Sequence, residues 1–180
     1  MNYSAIKPYD VANGVGVRVS LFVSGCTHHC KGCFNAETWD FNFGKEFTKT
    51  QEDEIIEALK PSYIKGFSLL GGEPFEPQNQ EVLTPFLKRI KETYPEKTIW
   101  CYTGYLFDDE LLGESRAKTQ NTKEMLSYID VLVDGEFFEE EKDLSIRFRG
   151  SRNQRIIDVP ESIKTGKIVL AEEFMEKRKV

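Results

Sequence analysis

The fold is decided by one stretch, Val17-Arg18-Val19-Ser20-Leu21-Phe22-Val23 followed directly by Ser24-Gly25-Cys26-Thr27-His28-His29-Cys30-Lys31-Gly32-Cys33-Phe34-Asn35. In its first part apolar and polar residues alternate and are followed by a continuous apolar run, which is typical of a buried β-strand. Its second part places three cysteines in the loop that leaves this strand. The cysteines therefore stand where an open α/β sheet binds its ligands, beyond the carboxyl end of a strand.

The rest of the chain alternates segments with strand and helix patterns. Strands are predicted at 67–70, 98–103 and 130–134, with short further strands at 155–159 and 167–170. Helices are predicted at 51–60, capped by Thr50 and ended by Pro61, at 79–94 with Pro85 inside, and at 121–128. This alternation indicates βα units and a mostly parallel sheet with flanking helices. Because a closed eight-stranded α/β barrel takes about 250 residues, we expect an open sheet or a partial (β/α) barrel.

Composition narrows the function classes. The chain has 180 residues, 39% of them hydrophobic and 30% charged, as expected of one globular domain spanning residues 1–180. A net charge of −6 argues against a nucleic-acid partner. The longest apolar stretches are strand-sized, which argues against a membrane span. The N-terminus resembles no signal peptide, so we expect a cytoplasmic protein.

The cysteines indicate a metal site. Cys26, Cys30 and Cys33 lie close together, and Cys101 lies far along the chain. In a reducing compartment such a cluster is more often a metal site than a disulfide framework. Three thiolates can hold three irons of a 4Fe-4S cubane and leave the fourth iron open to a substrate.

The alternative is a structural zinc ion in a non-catalytic interaction module. Its fourth ligand would be His28, His29 or Cys101. The two histidines are poorly placed to close a tetrahedron with their own loop. Cys101 lies inside an apolar strand, and we expect it to be a buried small hydrophobe.

A glycine-rich strand end follows the cysteine-containing strand end by about one βα unit. Gly71-Gly72-Glu73-Pro74 comes directly after the predicted strand at 67–70. Two glycines let a ligand approach the backbone, and Glu73 adds an acceptor for a cation. Alone this pattern is mostly a turn.

Together with the C-x3-C-x2-C spacing of the cysteines, this motif resembles the radical S-adenosylmethionine (SAM) superfamily. The resemblance implies a partial (β/α) barrel of the radical SAM type with one 4Fe-4S cluster on Cys26, Cys30 and Cys33. It also implies that the backbone and carboxylate of Gly71, Gly72 and Glu73 bind the amino group of SAM.

The resemblance further implies SAM contacts from residues around the third cysteine. The superfamily usually has an aromatic residue just before that cysteine, near the adenine. Here Gly32 precedes Cys33 and the aromatic Phe34 follows it. At the end of the strand at 130–134, Asp134 is either a hydrogen-bond partner of the SAM ribose or a turn aspartate.

The chain resembles one radical SAM family most: the activating enzymes of anaerobic (class III) ribonucleoside-triphosphate reductase. The stretches that carry the resemblance are 26–39, 71–79, 100–105, 130–137 and, most specifically, 143–159 with Arg147-Phe148-Arg149-Gly150-Ser151. The implied oxidoreductase cleaves SAM with an electron from the cluster. The resulting 5′-deoxyadenosyl radical takes a hydrogen from a glycine of the reductase and leaves a glycyl radical. The implied partners are that reductase and a flavodoxin-type electron donor.

Two questions stay open. The chain also resembles activases of other glycyl radical enzymes, such as that of pyruvate formate-lyase, although those chains are longer and lack Arg-Phe-Arg-Gly. The four arginines in 147–155 would either face the partner protein or bind the SAM carboxylate. Otherwise they belong to a salt-bridged strand and turn, with Glu139 to Glu141 as possible partners.

Overall fold

Within residues 1–175, which the computed structural model of the protein describes, seven strands form one open sheet in the order β3-β1-β2-β4-β5-β6-β7. The strands are β1 (Asn2–Asp10), β2 (Val17–Val23), β3 (Lys45–Glu46), β4 (Ile64–Gly71), β5 (Thr98–Tyr102), β6 (Val131–Asp134) and β7 (Arg155–Asp158). The predicted α/β class and the open sheet are confirmed.

The expectation of a mostly parallel sheet is wrong, because the sheet is mixed. Strands β2, β4, β5 and β6 are mutually parallel in its centre. Strands β1, β3 and β7 pair antiparallel at its two edges. β1 and β2 are joined by the short connection 11–16, which suits an antiparallel pair. β7 returns beside β6 only after the long connection 135–154. The sequence did not predict β1, whose residues are mostly half-buried or exposed.

Helices α1 (Lys49–Leu59), α2 (Pro77–Thr93), α3 (Thr122–Ser127) and α4 (Val159–Thr165) cover one face of the sheet. The short helix α5 (Glu172–Met175) lies on the other face, where the Phe174 ring packs on Trp100 at a centroid distance of 5.1 Å. Side chains of α1 to α3 pack on alternate strand residues such as Leu21, Leu69 and Cys101, all fully buried. Cys101 is thus the buried small hydrophobe that the sequence predicted. No helix among residues 1–175 combines the length and the apolar character that crossing a membrane requires.

Several boundaries differ from the prediction for local reasons. α1 begins two residues early because Thr48, not Thr50, caps it, with Gln51 completing a capping box. α2 continues through Pro85 as one element. The strand expected at 167–170 is reduced to a single bridge between Leu170 and Ile157.

The other face of the sheet is covered without long helices. Trp100, Val131, Val133 and Ile156 form a second apolar cluster there. Residues 142–154, which we call the covering segment, lie over it, and the Phe148 ring meets Trp100 at a centroid distance of 5.0 Å. This inner face encloses the cavity described below.

A buried arginine ties the lower part of the inner face together. Arg18 on β2 is 1% exposed. Its guanidinium donates hydrogen bonds to Ser68 Oγ (2.7 Å), Thr98 Oγ1 (3.0 Å) and the carbonyl oxygens of Val15, Phe67 and Thr98. Burial lowers the pKa of Arg18 to about 10. Neutral acceptors on β4 and β5 thus satisfy a charge that water would otherwise solvate.

We expect Arg18→Met to destabilise the protein by about 2–4 kcal/mol, because it leaves several buried acceptors without a donor. Denaturant unfolding measures the change. Lys88→Met is the matched control, because Lys88 is exposed on α2 and its one ion pair within residues 1–175 is with Glu92 at 4.0 Å. Equal stability of the two variants would contradict a structural role for the Arg18 network.

Candidate functional site

A cavity of about 650 Å³ lies between the inner face of the sheet, the covering segment and the loop of residues 24–35, which we call the cysteine loop. Phe22, Leu70 and Tyr102 line it side by side on β2, β4 and β5. The residues that follow the parallel strands line its upper part: Gly71, Gly72, Glu73, Thr103, Gly104 and Gly135. The strand ends thus meet at one edge, as the sequence predicted for its candidate site.

All three loop cysteines line this cavity. Cys26, Cys30 and Cys33 are partly exposed free thiols. Burial, together with the charge of Glu73, raises the pKa of Cys26 to about 12, and burial also raises the pKa of Cys30. Iron binds the thiolate, so loading a cluster here releases protons. Three sulfur donors facing one chamber match the donor set of a cluster with one open iron.

The loop's backbone explains its unusual glycine. Gly32 has φ +73°, a left-handed conformation that favours glycine, and an added Cβ would meet the Glu139 side chain at 2.9 Å. An aromatic residue before Cys33 would be strained in this turn. Phe34, after Cys33, lines the cavity instead. Gly32 is not among the lining residues, so its contact with SAM stays a prediction.

The three candidates for a fourth zinc ligand have other contacts. The His29 ring stacks on Trp39 at a centroid distance of 4.6 Å. His28 lies between two carboxylates, and Cys101 is fully buried on β5. Within residues 1–175, no three His, Cys, Asp or Glu side chains are placed to hold one metal ion together. In a cubane each thiolate binds its own iron, so three cysteines need not converge on one point.

His28 joins the cysteine loop to two strand ends. Its Nε2 lies 3.1 Å from Glu73 Oε2, and its Nδ1 lies 2.8 Å from Glu136 Oε1. Burial opposes its protonation, but the hydrogen bonds to the two carboxylates raise the pKa of His28 to about 9. The ring rests against Gly104, where a Cβ would lie 2.6 Å from Nε2. Only a glycine at the end of β5 leaves room for this ring.

The Glu73 carboxylate is buried and fully engaged. Oε1 accepts hydrogen bonds from the Phe75 N–H and the Thr103 hydroxyl, each at 2.8 Å. Oε2 accepts one from the Gly104 N–H at 2.8 Å and faces His28. A ligand amino group at this carboxylate must share these acceptors. The structure therefore places Glu73 in the cavity wall and commits its side chain to the protein.

The glycines of this motif make room for the cysteine loop. A Cβ on Gly71, which has φ +113°, would lie 2.7 Å from Val23 O. A Cβ on Gly72 would lie 2.6 Å from Gly25 O and 3.0 Å from Thr38 O. The backbone of Gly71 and Gly72 therefore lies close to the backbone of Val23, Gly25 and Thr38.

The sequence missed one buried carboxylate that holds the loop. Glu76, fully buried before α2, accepts hydrogen bonds from the Thr27 N–H (2.9 Å) and hydroxyl (2.6 Å). Its other oxygen pairs with Arg116 at 3.0 Å. Nothing in the local pattern signals this role, because both partners are distant in sequence.

Asp134 lies outside the cavity lining. Arg155 donates two hydrogen bonds to its carboxylate, from Nε to Oδ1 at 2.9 Å and from a terminal nitrogen to Oδ2 at 2.5 Å. The Phe107 N–H donates to Oδ2 at 2.8 Å. These contacts fasten β6 to β7, and the contact with the SAM ribose stays a prediction.

The four arginines have different surroundings. Arg155 is salt-bridged, as one alternative expected, but its partners are Asp134 and Asp108. Arg149 lines the cavity and donates to the Gln154 and Met175 carbonyls. Arg147 lies over the Phe148 ring at 4.8 Å, and Arg152 is exposed. The expected partners Glu139 and Glu140 pair with Lys31 instead.

Comparison with known proteins decides the family. Residues 12–157 match the family model of a 4Fe-4S single cluster domain. An anaerobic ribonucleoside-triphosphate reductase-activating protein of Haemophilus influenzae is 49% identical over 158 residues, 87% of this chain and 97% of the relative. The chain belongs to this family. Proteins of the same name from bacteriophage T4 (43% identical, 87% of this chain, 93% of the relative) and Escherichia coli K12 (44%, 86% and 96%) are also similar.

The region that matches the 4Fe-4S family model includes the whole cavity. It contains the cysteine loop, the strand ends and the covering segment, and all the residues that line the cavity fall inside it. The family resemblance read from the sequence is confirmed.

We expect Cys30→Ala to lose most of the iron after anaerobic reconstitution and Cys101→Ala to keep it. Cys30 faces the cavity, whereas Cys101 packs in the core behind the sheet. Iron per protein chain and the brown absorption of the cluster measure the difference. If Cys101→Ala loses iron as completely as Cys30→Ala, the cluster is not held by three cysteines alone.

We expect Gly72→Ala to lower the iron content by at least half. The new Cβ would collide with backbone oxygens of the cysteine loop and move that loop. Gly113→Ala is the matched control, because its Cβ would meet only the Asp108 carbonyl oxygen at 3.2 Å. Full iron loading of Gly72→Ala would show that the loop tolerates the shift.

Proposed function

We propose that this protein is a radical SAM activase that generates a glycyl radical on the anaerobic ribonucleoside-triphosphate reductase. The observation that carries the proposal is the meeting of three free thiols and the Gly71–Glu73 strand end in one cavity. The activity named for its relatives gives that cavity a substrate protein. In this reading the open sheet and its cover form a partial barrel of the radical SAM type, within one domain spanning 1–180.

In this proposal Cys26, Cys30 and Cys33 hold the 4Fe-4S cluster, and SAM lies between them and the strand ends. When bound and reduced, such a cluster supplies one electron for the cleavage of SAM. The cavity volume of about 650 Å³ is within the usual range of about 300–1,000 Å³ for small-molecule sites. Its apolar walls, including Phe22 and Leu70, exclude water from a reactive radical.

The chain's own residues would orient SAM. Because the Glu73 side chain is committed to His28, Thr103 and Gly104, we assign the SAM amino group chiefly to the backbone of Gly71 and Gly72. We assign the SAM carboxylate to Arg149. This arginine lines the cavity. Arginine binds carboxylates through paired hydrogen bonds.

The proposal also names an electron donor and a cellular compartment. The electron is taken from a flavodoxin-type donor, and the free thiols suit the reducing cytoplasm. Cys33 and Phe34 complete the proposed SAM surface beside the cluster.

The experiment combines anaerobically reconstituted protein with SAM, dithionite and the anaerobic ribonucleoside-triphosphate reductase of the same organism. We expect the glycyl doublet in electron paramagnetic resonance, together with one methionine released per radical formed. Omitting SAM or using Cys30→Ala abolishes the doublet. A doublet that forms on pyruvate formate-lyase and not on this reductase would assign the protein to that other activase family.

A further inference from the structure

The edge of the cavity carries exposed apolar side chains. Among the exposed large apolar residues of 1–175, only Phe34 and Leu144 also line the cavity. Phe34 is 60% exposed and Leu144 is 75% exposed. Single exposed apolar residues are ordinary on a protein surface, but these two both line the same cavity.

These two side chains come from opposite walls that contact each other. Phe34 belongs to the cysteine loop, and its ring packs against Phe137 at a centroid distance of 5.4 Å. The Lys142 ammonium lies 4.9 Å above the same ring, and Leu144 follows two residues later in the covering segment. The Phe34 ring is therefore held in place while most of it faces solvent. An aromatic side chain fixed before binding loses little further conformational freedom when a partner covers it.

Positive charge accompanies the apolar edge. Lys142 and Arg152 are exposed, and Arg147 lies over the Phe148 ring. None of the ion pairs within residues 1–175 involves these three cations, whereas the neighbouring Glu139 and Glu140 are paired with Lys31. The net charge of the whole chain is −6. These three cations stand in a stretch that also carries Glu141 and Asp143, and they can pair with acidic groups on a partner.

We propose that Phe34, Leu144 and Lys142 form the docking edge for a segment of the reductase that presents apolar side chains flanked by acidic ones. This inference rests on the proposed function. A hydrogen atom passes from the glycine of the reductase to the 5′-deoxyadenosyl radical, so one C–H bond breaks as another forms. That transfer requires van der Waals contact inside the cavity, and the substrate segment must therefore cross its edge.

The test measures binding of the full-length protein to the reductase under anaerobic conditions by biolayer interferometry. We expect Leu144→Asp to raise the dissociation constant at least tenfold and Leu144→Ala to raise it about threefold. The matched control is Ile163→Asp, 48% exposed beside a different apolar groove, which should change it less than twofold. We expect Lys142→Glu to weaken binding more at low than at high ionic strength, because salt screens exposed charges.

Wild-type affinity of Leu144→Asp, with the glycyl radical still formed by the unmodified protein, would overturn the docking edge and leave the proposed function standing. A larger loss for Ile163→Asp than for Leu144→Asp would move the interface to the other groove and equally overturn it. An unmodified protein that neither binds the reductase nor forms the radical would overturn the proposed function itself. Far-ultraviolet circular dichroism confirms that each variant is folded.

Discussion

The buried Glu73 carboxylate is the point on which the site depends. It lies 1% exposed at the end of β4, and a charge without solvent must be matched by hydrogen-bond donors from the protein. Those donors come from the end of β5, through Thr103 and Gly104, and from the cysteine loop, through His28. Moving any of these groups would remove one of the hydrogen bonds that satisfy the carboxylate. The requirement therefore fixes two strand ends and the loop relative to one another.

His28 extends the same constraint to a third strand end. Its second nitrogen meets Glu136, which follows β6, so the loop is held against β4, β5 and β6 together. The close approach needs glycines where the chains touch, at Gly104 against the ring and at Gly72 against the loop backbone. Hydrogen bonding and close packing of this kind position the three thiols before any ligand binds. Preorganisation lowers the cost of assembling a reactive site.

The sequence predicted the parts that depend on local pattern. The apolar run of β2 and the periodicity of α2 were sufficient for the α/β class, and the cysteine spacing was sufficient for a 4Fe-4S domain. It could not predict β1, a half-exposed edge strand without clear alternation, or Glu76, whose partner Thr27 is 49 residues away. The sequence also could not predict that Arg149 lines the cavity. Burial of the covering segment depends on a long-range contact between Phe148 and Trp100 that no window of sequence contains.

The covering segment closes much of the inner face of the sheet over the cavity. An open sheet leaves its inner face to solvent, and a larger barrel would close that face with further strands and helices. Here residues 142–154 do so through Phe148 on Trp100, while Arg155 anchors the end of the segment on Asp134. The same segment carries Arg149 in the wall and Leu144 at the edge. Because one short segment supplies much of the cover, the proposed SAM contact and the proposed docking edge, a partner bound at Leu144 would lie directly over the cavity.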